Sequence, residues 1–195
     1  MYQLHALDTL EDLDRVFGER GAMRAILEAR EQGLVKHVGI TSHNKAVLLK
    51  ALERFDFDVV MTPITVGSML YPRPENDFRP LLRVARDRGI GVIAIKAIAR
   101  GRWGGRPRRY QTWYEPFDDP EDVRMALSLV LSQEGVVAYS LPCDVRLWPP
   151  VLDAAEKVEE LDKEGVRRAL EYFRRRGAKP LFPEDLAEQL AREES

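Results

Sequence analysis

The chain has 195 residues, of which 45% are apolar and 32% are charged, and this balance is typical of a globular protein with one substantial core. Its net charge of -2 argues against a general affinity for nucleic acids or anionic membranes, and no apolar run approaches the ~20 residues of a membrane-spanning helix. A single cysteine, Cys143, excludes an intramolecular disulfide and a four-cysteine cluster, and with an N-terminus unlike a signal peptide it predicts a cytoplasmic protein without a metal centre.

Short β-branched runs alternate with amphipathic helical segments along most of the chain. This alternation predicts parallel strands that are joined by right-handed helical crossovers. The residues that mark the helix starts are a capping box of Thr9 and Asp12, then Ser42 or Asn44, then Asn76 or Asp77, and then Asp119-Pro120. The five predicted strands, expected side by side in chain order, are residues 2–7, 36–41, 58–62, 91–96 and 136–141.

The last part of the chain is predicted to be helical, with segments 151–161, 164–176 and 183–192 and no strand after them. We therefore expect an α/β domain over residues 1–160 and a helical tail over residues 161–195. Five strand–helix units do not close an eight-stranded barrel, which typically takes ~250 residues. The pattern alone is compatible with an open five-stranded sheet and with part of a barrel.

Several stretches resemble strands four to eight of the aldo-keto reductases, in the order of that family. Tyr2-Gln-Leu-His5 resembles the fourth strand, which ends in an active-site histidine, and Lys36-His-Val-Gly39-Ile-Thr-Ser-His-Asn44 resembles the fifth. The other matching stretches are residues 58–63, 89–101 and 136–142. The resemblance favours a partial TIM (β/α)8 barrel with additional C-terminal helices, and it implies that this chain lacks the first three barrel units.

The resemblance implies a parent activity of NAD(P)H-dependent reduction of aldehydes or ketones, with NADP or NAD as cofactor and a small carbonyl compound as substrate. In this family a histidine orients the carbonyl group, and His5 is its match here. The tyrosine, lysine and aspartate that supply and tune the proton in relatives lie on the first three strands. Without them, we expect the isolated chain to be inactive. The alternative is a non-catalytic module that binds a ligand or a partner.

Thr41 and Ser42 align with the Ser-Asn pair that contacts the nicotinamide in relatives, so the resemblance implies that both bind the cofactor. Ser42 lacks the usual amide, and Met61 stands where a glutamine is usual and offers only a weak acceptor. His43 and Asn44 are alternative sources of polar contacts. The favoured interpretation is that Asn44 caps a helix and that His43 is a loop residue.

Two cations follow later strands, on the side where barrel folds bind their ligands. Lys96 fits either a buried electrophile or phosphate partner of the cofactor, or an ion pair at the rim. Arg146 follows the last strand, where relatives bind the 2′-phosphate of NADP, and Cys143 replaces a glycine that is usual there. We expect His5, Thr41, Lys96 and Arg146 to cluster at the carboxyl ends of the strands.

Two segments, 63–74 and 97–119, are predicted as loops. Residues 100–110 of the second are basic and rich in glycine and aromatic residues, and the favoured interpretation of this stretch is a solvated, mobile loop. A phosphate-binding loop and a nucleic-acid segment are the alternatives, although we expect no nucleic-acid partner. Trp103, Trp113 and Tyr114 of segment 97–119 either cover a substrate or anchor the loop to the core.

The first and last predicted strands, 2–7 and 136–141, are expected to be sheet edges without proline or inward-pointing charge. Such edges recruit further strands. We therefore expect an unstable monomer that escapes into a homo-oligomer or aggregates through these edges.

Overall fold

A computed structural model describes residues 1–192 of the chain. The strands are β1 (Tyr2–Leu4), β2 (Val38–Thr41), β3 (Val59–Pro63), β4 (Gly91–Ile95), β5 (Ala99–Arg102), β6 (Tyr114–Pro116) and β7 (Val136–Ser140). The helices are α1 (Leu10–Phe17), α2 (Ala22–Glu31), α3 (Lys45–Arg54), α4 (Val66–Leu70), α5 (Arg79–Asp87), α6 (Pro120–Leu131), α7 (Trp148–Ala155), α8 (Lys163–Arg175) and α9 (Glu184–Arg192). A single 3-10 turn, Val145–Leu147, precedes α7.

Five strands form one parallel sheet in the order β1-β2-β3-β4-β7. The register pairs Leu4 with Ile40, Ile40 with Val60, and Val60 with Val92, and it shifts once between β4 and β7. The predicted set of five parallel strands in sequential order is therefore confirmed. All five carboxyl ends lie along one edge, and the loops that follow them meet there.

Only one face of the sheet is well covered by helices. Val60, Val92 and Ala94 are fully buried, in one core cluster with Leu48 and Leu81 of the flanking helices. The alternate side chains of β3 and β4, such as those of Met61 and Ile93, are only partly buried. In a closed barrel that second face would be the packed interior. The described chain is a partial barrel with an open inner face.

Side-chain caps start several of the helices where the sequence predicts them. Thr9 and Asp12 form a reciprocal capping box at α1. The Asn44 side chain accepts from the backbone of α3, and Asp119 does the same for α6, which has proline at its first position. The prediction of Asn76 or Asp77 as the cap of α5 is wrong. Phe78 holds that position without a side-chain hydrogen bond to the helix. The Asn76 amide donates to two carbonyl groups of the chain, whereas Oδ1 of Asp77 still accepts from the N–H of Arg79, the first residue of α5.

Both predicted loops contain regular structure. Residues 63–74 include the short helix α4, which a capping box of Thr65 and Ser68 begins. Residues 97–119 include an antiparallel hairpin of β5 and β6. The Nε1 of Trp103 donates to the carbonyl of Thr112 at 2.7 Å and closes that hairpin from within. Short elements held by such tertiary contacts leave no long hydrophobic period in the sequence.

The helix predicted over 151–161 is shifted and shorter, since α7 covers Trp148–Ala155. The chain after it is held in an extended path by the hydroxyls of Ser128 and Ser132, which bond to the backbone of Glu159 and Leu161. Helix α8 then packs on α4 and α6 through a second apolar cluster that includes Ala169 and Phe173. The division at residue 160 stays a prediction.

Among residues 1–192 the structure contains no helix long and apolar enough to cross a membrane. The same residues contain no group of three or more histidine, cysteine, aspartate or glutamate side chains arranged to hold a metal ion.

Candidate active site at the carboxyl ends of the strands

The residues after β1 turn sharply and attach to the end of β2. Ala6 has φ 52°, in the left-handed region that non-glycine residues seldom adopt. Its N–H donates to Oγ1 of Thr41 at 2.7 Å, and the N–H of Leu7 donates to the carbonyl of Thr41 at 3.0 Å. The Nδ1 of His5 lies 3.3 Å from the same Oγ1. Thr41 thus fixes His5, which is exposed, at the mouth of the sheet.

Asp8 is the hub of the hydrogen bonds beside this turn. Its Oδ1 accepts from the backbone N–H of His43 at 2.6 Å and from the hydroxyl of Ser42 at 2.9 Å. Its Oδ2 lies 2.8 Å from Nδ1 of His43. Burial raises the pKa of Asp8, but the hydrogen bonds from His43 and Ser42 outweigh it and hold the pKa well below the usual range. Asp8 is an ionised anchor for the loop that follows β2.

Lys45, the first residue of α3, is only 1% exposed. Its Nζ donates to the carbonyl of His43 at 3.2 Å. The pKa of Lys45 is lowered to about 7, mainly by burial and then by the charge of Lys96, while the charge of Asp8 acts in the opposite direction. The amino end of a helix also disfavours a cation. A neutral amine is therefore readily available at this position near neutral pH.

Lys96 directly follows β4 and has φ 62°, again in the left-handed region. Its side chain is partly buried, and its Nζ lies 5.4 Å from the ring centroid of Trp113. Burial lowers the pKa of Lys96 to about 8, although Asp8 and Cys143 act in the opposite direction. Within residues 1–192 Lys96 forms no ion pair with a carboxylate, so the predicted alternative of a rim ion pair does not hold.

Two aromatic side chains from distant segments, Trp113 and Phe182, lie beside Lys96 and His43. The ring of His43 stacks on Phe182 with centroids 4.3 Å apart, and Trp113 meets Phe182 edge to face at 5.6 Å. Trp113 remains 43% exposed, whereas Trp103 and Tyr114 of the same loop are buried. Trp103 and Tyr114 therefore anchor the loop, and Trp113 is the one of the three that lies beside a candidate functional group.

Arg146 makes its contacts with the long loop. Its guanidinium forms two hydrogen bonds with Asp144, at 2.6 and 3.0 Å, and stacks on Tyr110 with its central carbon 5.1 Å from the ring centroid. It also donates to the carbonyl of Arg109. Hydrogen bonds from Arg146, and then from the backbone N–H of Gln111, hold the pKa of Asp144 well below its usual range.

The arginines of the loop after β4 are paired in a similar way. Arg100 and Arg106 both reach Glu115, whose side chain is 6% exposed, at 3.4 and 2.7 Å. Arg102 pairs with Glu184 at 3.0 Å. The ends of this segment therefore form a folded, charge-balanced hairpin, whereas residues 104–109 are exposed and lie outside any strand or helix, as the interpretation of a solvated loop expects.

Comparison with known proteins places this arrangement in a family, because the model of the aldo/keto reductase family matches residues 1–170. The chain belongs to the aldo/keto reductase family. No curated protein matches it. The aldo-keto reductase AKR11C1 from Bacillus halodurans, in its holo form, is 20% identical with a TM-score of 0.60, and the match covers 93% of this chain and 62% of that one.

A second solved structure, the Bombyx mori aldo-keto reductase AKR2E4 in complex with NADP, is 16% identical with a TM-score of 0.53. That match covers 88% of this chain and 56% of that one. At these identities the solved structures show the fold alone. This aldo/keto reductase family member therefore spans about three fifths of the length of these two solved relatives.

The resemblance implies site roles for His5, Thr41 and Ser42, and these three residues lie together at the strand ends. His5 contacts Thr41, and Ser42 follows Thr41 in the chain. Lys96 joins them through its electrostatic interaction with Asp8. Arg146 lies beyond the end of β7 and is engaged by Asp144. The roles of these residues in binding a cofactor, and of His5 in catalysis, stay predictions. Asn44 caps α3, as the favoured interpretation has it.

Sequence reasoning missed Asp8, Lys45 and Phe182, and it treated His43 as a plain loop residue. Lys45 carries a signal in hindsight, because a lysine directly after a helix cap is unfavourable at that helix end. Asp8 was visible only as a residue near a helix start. Phe182 lies about 140 residues from His43 in the chain, and only the tertiary fold brings the two together.

Proposed function

We propose that this chain derives from an NAD(P)H-dependent reductase of aldehydes or ketones, and that the 195-residue chain does not carry out that reduction by itself. The family match supports the parent activity. The main support for the second part is that two of the groups implied to contact NADP or NAD, Ser42 and Arg146, already have hydrogen-bond partners within the chain. The Ser42 hydroxyl donates to Asp8, and the Arg146 guanidinium is held by Asp144.

A dinucleotide would gain less from these groups than from free ones, because Asp144 offsets the charge of Arg146 and the Ser42 hydroxyl proton is already donated to Asp8. Hydrogen bonds to charged groups are worth ~1.5–3 kcal/mol each. Met61 offers no amide in their place. The residues present therefore do not fit a tightly held dinucleotide, and we assign no hydride-transfer step to this chain.

Besides the dinucleotide, the reduction requires a group that gives a proton to the carbonyl oxygen. His5 is the proposed contact for that oxygen, and its Nδ1 is hydrogen-bonded to Thr41, so Nε2 is the ring atom that would face a carbonyl compound. The resemblance implies that the tyrosine, lysine and aspartate of relatives belong to strands other than those matched here. A small carbonyl compound remains the proposed ligand of this end of the sheet. A cytoplasmic location is proposed on the basis of the single free cysteine, Cys143.

The test is NADPH and NADH oxidation by the purified 195-residue chain with a panel of small aldehydes. We expect no turnover above the protein-free background, and His5→Ala should match the wild type. Loss of general acid catalysis alone removes ~10²–10⁴-fold in rate. A turnover number in the ordinary range of ~1–10³ s⁻¹ that His5→Ala abolishes would refute the proposal.

A second candidate function is pairing with another chain through the edge strands. It is favoured by the exposure of Tyr2 on β1 (55%) and of Val137 on β7 (67%), the two strands that end the five-stranded sheet. Light scattering after size-exclusion chromatography should show a species larger than 22.3 kDa. Val137→Lys should shift it toward the monomer, because an edge lysine blocks strand addition. A monodisperse wild-type monomer with a sharp cooperative melt would reject this candidate.

A further inference from the structure

Lys96 combines three features that are uncommon in a surface lysine. It sits in a left-handed backbone conformation at the carboxyl end of a central strand, where residues of this kind are held by the surrounding structure. Its side chain is partly buried, and within the described residues no carboxylate forms an ion pair with it. Its Nζ instead faces the ring of Trp113.

The burial of Lys96 favours the loss of its proton, although the charges around it oppose that loss. Burial lowers its pKa to about 8, and Asp8 and Cys143 only partly offset this effect. Lys45 contributes a second buried amine whose charge is coupled to that of Lys96. At pH 7 roughly one tenth of an amine with a pKa of about 8 is neutral, against roughly one part in 2,500 for an ordinary lysine. Lysines become nucleophilic when they are desolvated or lie beside another cation.

We propose that Nζ of Lys96 is a nucleophile that captures small aldehydes as a Schiff base. The geometry carries this inference: a partly buried amine without a carboxylate partner, at the open end of a barrel-type sheet, beside an aromatic face. Lys45 is fully buried and donates to a carbonyl group, so Lys96 is the amine that a ligand reaches. This activity goes beyond the proposed reductase ancestry, because it needs no nicotinamide.

The reaction is a condensation without net oxidation or reduction. The lone pair of neutral Nζ attacks the carbonyl carbon, a C–N bond forms, and the carbonyl electron pair moves to oxygen, which takes a proton from solvent. The carbinolamine nitrogen gives up one proton to solvent, and the hydroxyl group leaves as water with a proton from solvent. The nitrogen then gives up its second proton, which leaves the neutral imine. The products are one imine and one water. When protonated, the imine keeps a positive charge over Trp113, which stabilises it as it stabilises the ammonium.

The surroundings also indicate the class of aldehyde. Trp113 and Phe182 provide an apolar wall beside Nζ, whereas Asp8 places negative charge near it. An aldehyde with a short apolar substituent fits this combination better than one that carries a carboxylate or a phosphate. Propanal is therefore the probe, and glyoxylate is the matched anionic comparison.

The experiment traps the imine in the purified 195-residue chain with propanal and sodium cyanoborohydride, followed by peptide mapping. We expect Lys96 to be alkylated about tenfold or more faster than the exposed Lys50 at pH 7, with a rate that rises to a plateau around pH 8 to 9. Glyoxylate should give a smaller preference for Lys96. Cyanoborohydride supplies the hydride, so the outcome does not depend on whether the chain reduces aldehydes with NADPH.

Two variants serve as controls for the assignment of the label to Lys96. Lys96→Arg keeps a cation over Trp113 but removes the amine, and it should abolish the label at that peptide while labelling at Lys50 is unchanged. Lys50→Arg should leave labelling at Lys96 unchanged. Equal or slower labelling of Lys96 relative to Lys50 in the wild-type chain would overturn the proposal, and so would label on Lys45 in place of Lys96. Neither of these outcomes depends on a variant that folds.

Discussion

The strand ends carry two kinds of cation that the fold treats differently. Most arginines of the hairpin loop, and the arginine after β7, reach carboxylates, as Arg106 reaches Glu115 and Arg146 reaches Asp144. The two lysines of the site, Lys45 and Lys96, form no ion pair with a carboxylate in the described chain. The arginines are thereby committed to structure, and the lysines keep an amine that can change its protonation state near neutral pH.

The difference follows from the chemistry of the two side chains. A guanidinium stays charged at any ordinary pH and binds carboxylates in a fixed fork, so it is suited to hold a loop. An ammonium loses its proton when it is desolvated without a counter-charge. A basic residue in the sequence is therefore weak evidence for a phosphate site. Whether that residue already forms an ion pair within the fold is the better guide.

The largest expected effect concerns Lys45. Its pKa of about 7 in the folded chain lies below that of an unfolded lysine, so the folded state is penalised wherever the unfolded lysine is protonated. At 1.36 kcal/mol per pKa unit, and after the loss of its hydrogen bond to His43, Lys45→Met should stabilise the chain by ~2–4 kcal/mol at pH 7. The gain should shrink as pH rises from about 7 toward about 10, where both forms become neutral. Urea denaturation at several pH values measures it.

The control for Lys45→Met is Lys50→Met, because Lys50 is an exposed lysine on the same helix. Lys50→Met should change the free energy of unfolding by no more than ~0.5 kcal/mol. A destabilisation by Lys45→Met at pH 7 that does not vary with pH would mean that the buried amine is charged and compensated, contrary to this interpretation.

The second largest effect concerns the ion pairs of the loop arginines. Glu115→Gln keeps the shape of a nearly buried side chain and removes the charge that Arg100 and Arg106 share. Both guanidinium groups are partly solvated, so we expect a loss of ~1–3 kcal/mol rather than the larger value for a fully buried pair. Glu160→Gln, at an exposed position, is the control for urea denaturation. No change in Glu115→Gln would show that the loop arginines do not depend on this pairing.

Asp8→Asn should have a smaller effect that depends on pH. Burial raises the pKa of Asp8, but the stronger effect of the hydrogen bonds from His43 and Ser42 lowers it. The ionised group therefore stabilises the fold above the ordinary carboxyl pKa of ~3.9, and this stabilisation is lost as pH falls through the lowered value. Asp8 is partly exposed, so the expected loss at pH 7 is only ~1 kcal/mol. The gap between wild type and variant should narrow below about pH 4.

For Asp8→Asn the exposed Asp153→Asn provides the comparison in urea melts at neutral and acidic pH. A gap that widens on acidification would reverse the sign assigned to Asp8.

The smallest expected effect is that of Arg146→Met on dinucleotide binding. If the guanidinium is committed to Asp144, the affinity for NADPH should change by less than about twofold, as titration calorimetry would measure. A loss of about tenfold or more for NADPH, with no loss for NADH, would show instead that Arg146 leaves Asp144 to bind the 2′-phosphate.

The sequence predicted the sheet well because its signals are local and repeated. β-branched runs, caps such as Asn44 and Asp119, and the ordered family resemblance all pointed to five parallel strands. The hairpin of β5 and β6 escaped prediction because its strands are short and Trp103 closes it across the loop. The resemblance, rather than periodicity, separated a partial barrel from an open sheet.

The site was only partly predictable for a related reason. The family resemblance pointed to His5 and Thr41, and the rule that barrel folds bind ligands at strand ends pointed to Lys96. The state of each group depends on partners from elsewhere in the chain, such as Phe182 stacked on His43 and Asp144 bound to Arg146. Whether a cation is paired is a tertiary property, and no motif in this sequence encodes it.

The contrast between unpaired lysines and paired arginines is tested most directly by an NMR titration of the chain labelled with ¹³C-lysine. Lys45→Met and Lys96→Arg assign the two signals. We expect Lys45 to titrate with a pKa of about 7 and Lys96 with a pKa of about 8. If both instead titrate at about 10 or above, as ordinary lysines do, the two amines are compensated in the folded chain and the contrast does not hold.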